Sequence, residues 1–182
     1  LGTLLLVAAA VLALIKGAWL RSFIDQFAIT ANVAPLIICA AICMLAAMND
    51  ITAPSVSLEG KALWLVQSLP VSPWQALKAK LELHLLLTAI PALLCSVSAC
   101  IVLRPGPFAA LMMVLLPGLF VLLFAAFGLT INLKMPNLSW TDETVPVKQS
   151  MGVLVTLFGG WAFVLLLGTL YVLCLLYTSP SP

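Results

Sequence analysis

The stretch that decides the fold runs from Leu83 to Leu133 and reads "LHLLLTAIPALLCSVSACIVLRPGPFAALMMVLLPGLFVLLFAAFGLTINL". It contains two apolar runs, Leu83–Leu103 and Phe108–Leu133. Each run exceeds the roughly 20 residues that an α-helix needs to cross a bilayer. Between them, "RPGP" from Arg104 to Pro107 holds two prolines and a glycine, which end one helix and start the next. We therefore predict two membrane-spanning helices joined by a tight turn.

The composition extends this prediction to the whole chain. Hydrophobic residues account for 64% of the 182 residues and charged residues for 8%, whereas an ordinary soluble domain has roughly 25% charged residues. Three more apolar runs lie at Leu1–Ile15, Phe27–Met48 and Met151–Leu173. The alternation typical of strands is absent, and helices satisfy their own backbone hydrogen bonds in lipid. The sequence therefore predicts an all-α, polytopic transmembrane helix bundle with about five visible spans.

The two ends of the chain call for separate treatment. Leu1 lies inside an apolar run, and we expect the first span, Leu1–Ile15, to lack its beginning. The last residues, Cys174–Pro182, read "CLLYTSPSP", which matches a translated sequencing-library adapter residue for residue. We therefore expect residues 174–182 to be a non-native tail without a functional role.

Catalytic and nucleic-acid-binding roles find no support in the residue pattern. The net charge is +2 without a basic run, so we expect no nucleic-acid partner. The sequence has no glycine-rich phosphate-binding loop, and we expect that the chain is not an enzyme and does not itself hydrolyse ATP. Asp142-Glu143 is an acidic pair without a metal-ligand neighbour, which favours a solvated loop. We expect no cofactor and no metal.

The cysteines fit a membrane interior better than a reactive site. They all lie in apolar segments, and none forms a CxxC pair or neighbours a histidine. We interpret them as small membrane-buried side chains rather than ligands or disulfides. They are Cys39, Cys43, Cys95, Cys100 and Cys174.

Two polar connections interrupt the apolar runs and set the orientation. The first connection is Asn49–Glu82 and the second is Lys134–Ser150; a short third one, Lys16–Gln26, lies on the opposite side together with the "RPGP" turn. Lysine and arginine are enriched in cytoplasmic loops. The first two connections carry Lys61, Lys78, Lys80, Lys134 and Lys148, and the opposite side carries Lys16, Arg21 and Arg104. This bias places both long connections in the cytoplasm.

The first connection contains a strong helix start. Ser72 and Gln75 have the spacing of a capping box, and Pro73 occupies the first helical position, where its missing N–H costs nothing. This helix is predicted to run straight into the next span, with Lys78 and Glu82 able to pair four residues apart. Pro70 and Pro73 separate it from a shorter predicted helix within 55–69. Local physics leaves two roles open for that shorter helix, because it fits either an interfacial helix lying on lipid or a surface that contacts a protein.

A family resemblance favours the protein contact. "SLEGKALWLVQSLPVSPWQALKAKL", which begins at Ser57, resembles the cytoplasmic segment after the second span of ABC type 2 exporter permeases. "INLKMPNLSWTDETVPVKQS", which begins at Ile131, resembles a loop of the large, Firmicutes-like bacterial permeases of that family. The resemblance implies that residues 1–173 are a permease domain and that residues 49–82 form a coupling segment that docks on an ATP-binding subunit.

The resemblance also implies the residues and partners of that docking. The expected contact residues are Ser57, Glu59, Gly60, Lys61, Trp64, Pro70 and Pro73. The expected partners are the ABC ATP-binding subunit, a second permease half or a second copy of the chain, and the lipid bilayer of a bacterial plasma membrane. The implied function is export of an unknown substrate with ATP hydrolysed by a separate subunit. The alternative is a non-ABC integral membrane protein with a structural or assembly role and an interfacial amphipathic helix.

Polar residues at the edges of the apolar runs give further expectations. His84, the only histidine, is expected to snorkel or to be hydrogen-bonded near the interface rather than to relay protons. Asp50 is expected to reach water at the end of its span. Asn32, Thr88 and Asn132 are candidates for interhelical hydrogen bonds. Pro91 and Pro117 predict kinks within spans, and Gly159-Gly160 predicts close helix packing.

Overall fold

The structure is a computed structural model, and it describes residues 2–26, 33–59, 68, 70, 72–135 and 151–178. The described part is all-helical, as the sequence predicts, and contains six α-helices and one short 3-10 helix. The α-helices are α1 (Gly2–Ile15), α2 (Gly17–Gln26), α3 (Ala34–Ala47), α4 (Pro73–Leu103), α5 (Pro107–Lys134) and α6 (Met151–Thr178), and the 3-10 helix is Ser57–Glu59.

Three of these helices are long and apolar enough to cross a membrane. They are α4, α5 and the part of α6 from Met151 to Cys174, with mean hydropathies of 2.4, 2.6 and 2.2. They confirm the three predicted spans that start near residues 83, 108 and 151. The chain is therefore a helical membrane protein.

The predicted number of about five spans is higher than the described helices support. By length and composition there are three such helices among the described residues, or up to four if α1 and α2 form one bent span. Helix α3 has 14 residues, and it covers only the later part of the predicted span 27–48. Residues 27–32, where that span would begin and where Asn32 lies, are outside the described part.

The connection predicted at 16–26 is itself helical. Helix α2 follows α1 after a bend of 86° at Lys16. Its Trp19 and Phe23 rings stack one turn apart, with centroids 5.5 Å from each other, and Arg21 donates from its Nε to the carbonyl of Val102 on α4. The i, i+4 ring pair favours the helix locally, and the arginine bond holds it across the end of α4.

Helix α4 begins where the capping box predicts. Ser72 Oγ accepts from the Gln75 N–H at 3.3 Å, and Gln75 Oε1 accepts from the Ser72 N–H at 3.1 Å. The predicted ion pair between Lys78 and Glu82 is present at 3.6 Å. Continuity from Pro73 to Leu103 confirms that the capped helix runs directly into the span.

The turn after α4 confirms the reading of "RPGP". Arg104 caps α4 in the left-handed conformation, with φ 49° and ψ 53°, and its N–H donates to the Cys100 carbonyl. Left-handed residues commonly end helices in this way. Gly106 is the N-cap of α5 and Pro107 is its first residue, so the two helices are joined by three residues, 104–106.

The helices pack around α3. It contacts α1, α4, α5 and α6, and α4 lies between α1 and α5. A Cβ added at Gly160 on α6 would lie 2.9 Å from Ala47 Cβ on α3, which supports the prediction that Gly159-Gly160 permits close packing. Helices α4 and α5 continue through Pro91 and Pro117, and both prolines are buried. The five cysteines are free thiols, with Cys39, Cys43 and Cys95 buried.

Candidate functional site

The candidate site is the first part of the first connection, residues 49–59, and the helix ends beneath it. After the apolar helix α3 ends at Ala47, the sequence turns polar with Asn49 and Asp50. The chain then crosses the end of the bundle and forms the 3-10 helix Ser57–Glu59. Buried backbone groups need hydrogen-bond partners. Side chains of four neighbouring helices bond to this part of the chain, some to its backbone groups and others to its side chains. We call residues 49–59 the anchor segment.

Asn132, in the last turn of α5, makes the most extensive contact with the anchor segment. Its Oδ1 accepts from the backbone N–H groups of Val56 at 2.9 Å and Ser57 at 3.0 Å. Its Nδ2 donates to Ser57 Oγ at 3.0 Å. Both Asn132 and Ser57 are fully buried. The amide therefore satisfies two backbone donors, that of the buried Ser57 and that of the partly buried Val56.

Asn49 ties the start of the anchor segment to two other helices. Its Nδ2 donates to Thr3 Oγ1 on α1 at 2.8 Å and to Thr88 Oγ1 on α4 at 2.6 Å. Thr88 is fully buried, so the bond is sheltered from water. Thr88 and Asn132 are expected to form interhelical hydrogen bonds. Both do bond to a distant part of the chain, but their partners, Asn49 and residues 56–57, lie in the anchor segment rather than in another membrane-spanning helix.

Asp50 connects the anchor segment to α6. The Thr156 hydroxyl donates to Asp50 Oδ2, and the Ala53 N–H donates to Oδ1 at 3.3 Å. Burial raises the pKa of the Asp50 carboxyl to about 6, and these two hydrogen bonds oppose that rise. Asp50 is partly exposed, as expected at the end of its apolar run, and its carboxyl also makes contacts at the bundle end that the sequence did not predict.

Two more contacts complete the attachment. Lys80 on α4 donates from its Nζ to the Ser55 carbonyl at 3.3 Å. On α5, a Cβ added at Gly128 would lie 2.9 Å from Thr52 Oγ1 and 3.1 Å from Asp50 Oδ1. Two side chains of the anchor segment thus lie so close to Gly128 that any larger residue there would require them to shift.

His84 lies inside the bundle beside this segment. It is only 4% exposed, and its Nδ1 has no hydrogen-bond partner within the described part of the chain. The expectation that His84 snorkels to the interface is wrong, because its side chain is buried. The alternative expectation, a hydrogen bond, is not met at Nδ1 by any described residue. The apolar helices around α4 enclose the turn that contains His84. The position of His84 in the sequence does not reveal this burial.

The residues predicted to contact a partner differ in exposure, and several lie outside the described part of the chain. Ser57 is buried against Asn132, so its side chain does not lie on a surface that another protein could contact. Glu59 ends the 3-10 helix, and Pro70 and Pro73 are exposed. Gly60, Lys61 and Trp64, like most of the predicted short helix within 55–69, lie outside the described residues.

The sequence reasoning missed several residues of the attachment, namely Thr3, Asn49, Gly128 and Thr156. Each is a small or polar residue at the edge of an apolar run, and that position is the signal that could have identified them. Comparison of the chain with protein-family models, curated proteins and solved structures gives no match.

Proposed function

We propose that this chain is the membrane-spanning permease subunit of an ATP-binding cassette exporter in a bacterial plasma membrane, with ATP hydrolysed by a separate subunit. The sequence motif that begins at Ser57 supports the family. The observation that carries the proposal is the attachment of the anchor segment to α1, α4, α5 and α6 by buried and partly buried side-chain hydrogen bonds.

A coupling segment must pass displacement from a soluble subunit into the membrane. A loosely tethered loop would absorb such displacement, whereas a segment that bonds to several helices moves together with them. Asn49, Asp50 and Ser57 make such bonds to helices on different sides of the bundle. The anchor segment is therefore suited to move the spans as rigid bodies.

The far end of the first connection is equally well joined to the membrane part. Helix α4 starts at the capped Ser72 and continues for 31 residues, a length of about 45 Å at the usual helical rise. A push on its first turn is transmitted along one continuous helix. The proposed coupling segment is thus held at both ends, by the anchor segment and by α4.

The basic residues of the two long connections support a cytoplasmic position for both, where an ATPase would be reached. A second permease half, or a second copy of this chain, completes the proposed transporter. In the family's arrangement Glu59, Lys61 and Trp64 lie at the centre of the contact with the ATPase, and an aromatic anchor flanked by charges is typical of such contacts.

Co-purification tests the proposal. The permease is expressed with a candidate P-loop ATPase from its gene neighbourhood, as wild type, Glu59→Lys, Trp64→Ala and, as a matched control, Trp19→Ala on the opposite side. We expect the first two variants to lose the ATPase at least tenfold, because reversal of a buried interface charge or removal of an anchor costs more than about 1.4 kcal/mol. Trp19→Ala is expected to retain it.

Retention of the ATPase by Glu59→Lys and Trp64→Ala at wild-type levels would contradict the proposal. In that case the connection is an interfacial helix on lipid. Charge reversal at Glu59 is harmless or favourable beside anionic lipid, so the two readings give opposite results in the same assay.

A further inference from the structure

A small cavity lies beneath the anchor segment, among α3, α4, α5 and α6. Its volume is about 10 Å³, about the space that one water molecule needs. Its polar lining consists of Asn49, Asp50, His84 and Thr156, and the rings of Phe120 and Phe124 close it on the apolar side. A polar lining distinguishes it from the dry cavities of hydrophobic cores.

The imidazole of His84 points to an occupant of this cavity. The side chain is 4% exposed and lines the cavity, and its Nδ1 has no hydrogen-bond partner among the described residues. A buried nitrogen without a partner is costly, and such groups are normally satisfied by protein or by ordered water. A water molecule in the cavity would supply the missing bond.

Asp50, on the other side of the pair, carries a negative charge that no cation balances within the described part of the chain. Its two carboxylate oxygens accept one bond each, from Thr156 and Ala53. No lysine, arginine or histidine forms an ion pair with it in the described part of the chain. A carboxylate that is largely withdrawn from water and has no cation beside it is disfavoured, and a bound proton removes that charge.

Other titratable groups on the neighbouring elements do not line the cavity. Lys80 on α4 donates to the Ser55 carbonyl, and Lys78 and Glu82 pair with each other at exposed positions. Among the described cavity-lining residues, Asp50 and His84 alone titrate. The remaining groups on the surrounding elements are Cys39 and Cys43 on α3, Cys95 and Cys100 on α4, Lys134 on α5, Tyr171, Cys174 and Tyr177 on α6, and Glu59 at the end of the anchor segment.

We propose that this cavity is a binding site for one water molecule and one proton, which Asp50 and His84 share through that water. When the proton is bound, the pair holds it either as carboxylic acid with neutral imidazole or as carboxylate with imidazolium. The water accepts from one group and donates to the other, and the proton exchanges with bulk solvent. This site is independent of the exporter proposal, because it requires only the contacts within this chain.

The single histidine makes the test direct. The full chain, purified with a tag that contains no histidine, is labelled with [15N]histidine so that one imidazole gives the signal. Wild type is titrated beside Asp50→Asn and the matched control Asp25→Asn, which removes an exposed carboxylate of α2. We expect Asp50→Asn to lower the midpoint of His84 by about one pH unit and Asp25→Asn to leave it unchanged.

A second measurement leaves the site intact. Asp25→Asn combined with Asp142→Asn leaves Asp50 as the only aspartate, and [4-13C]aspartate then reports its titration. We expect the Asp50 and His84 curves to share the same two steps, as coupled groups do. Independent one-step curves, or an Asp50→Asn variant whose His84 midpoint is unchanged, would overturn the proposal. An imidazole that titrates like exposed histidine in wild type would overturn it as well.

Discussion

Ser57 and Asn132 are 75 residues apart in sequence, yet they bond to each other through both backbone and side chain. The Ser57 N–H donates to Asn132 Oδ1 at 3.0 Å, and Asn132 Nδ2 donates to Ser57 Oγ at 3.0 Å. Both residues are fully buried. This pairing joins the anchor segment to the end of α5, and it is the centre of the attachment described above.

Replacement of the Asn132 amide should destabilise the bundle. Asn132→Leu removes the acceptor of the buried Ser57 N–H and of the partly buried Val56 N–H, which costs about 1–3 kcal/mol for each group that water cannot reach. We expect a lower thermal unfolding midpoint in detergent. The matched control is Thr130→Val on the same helix, since Thr130 is exposed and bonds only to the Ala126 carbonyl of its own helix. Equal midpoints for Asn132→Leu and Thr130→Val would show that the bonds do not hold the segment.

The close approach at Gly128 predicts a second, steric effect. Gly128→Ala places a Cβ 2.9 Å from Thr52 Oγ1 and 3.1 Å from Asp50 Oδ1, which forces these two side chains to shift at a cost of about 1–3 kcal/mol. Gly118→Ala on the same helix is the control, because its Cβ would meet only Leu93 Cδ2 at 3.9 Å. Thermal unfolding of the two variants should separate them clearly, and the account fails here if Gly128→Ala is as stable as Gly118→Ala.

Asp50 predicts a pH dependence with a defined sign. Burial raises the pKa of its carboxyl to about 6 in the folded chain, above the value of roughly 3.9 in an unfolded one. Between these values the folded state binds more protons, so the Asp50 contribution to stability falls as pH rises from about 4 to about 6. The contribution is constant outside that window.

The difference between Asp50→Asn and wild type isolates this contribution from that of other groups. We expect the variant to gain stability relative to wild type across the window, by roughly 1–3 kcal/mol at its upper end. Unfolding midpoints at a series of pH values measure the difference. A difference that does not change with pH, or that changes in favour of wild type, would contradict the assignment.

The proposed orientation predicts opposite labelling of opposite loops. In a cysteine-free background, Ser68→Cys and Ser139→Cys should react with an impermeant thiol reagent only after cells are opened. Gly106→Cys, in the turn between α4 and α5, should react in intact cells; a Cβ there meets nothing within 4 Å. Labelling of residue 68 or 139 in intact cells would reverse the topology.

The sequence predicts the long helices well because their signals are local. Apolar length predicts α4, α5 and α6, and the capping box at Ser72 predicts where α4 begins. The helical connection α2 was missed because the bond between Arg21 and Val102 that holds it spans 81 residues. Such long-range contacts leave no periodic pattern in the sequence.

The site was predictable only in part for the same reason. Thr88 and Asn132 were identified as hydrogen-bonding residues because polar side chains in apolar runs need partners. Which partners they take depends on how α3 ends and where residues 49–59 cross the bundle. His84 was expected near the interface, whereas packing of the neighbouring helices buries it.

The most direct test of the central claim, that the anchor segment transmits motion into the spans, is a distance measurement in the assembled transporter. Spin labels are attached at Gly106→Cys and Gly168→Cys, where an added Cβ meets nothing within 4 Å. We expect ATP to change the distance distribution in the wild-type background and with Thr130→Val. In Asn132→Leu, with the ATPase still bound, we expect that change to be lost. An unchanged response to ATP in Asn132→Leu would contradict the claim.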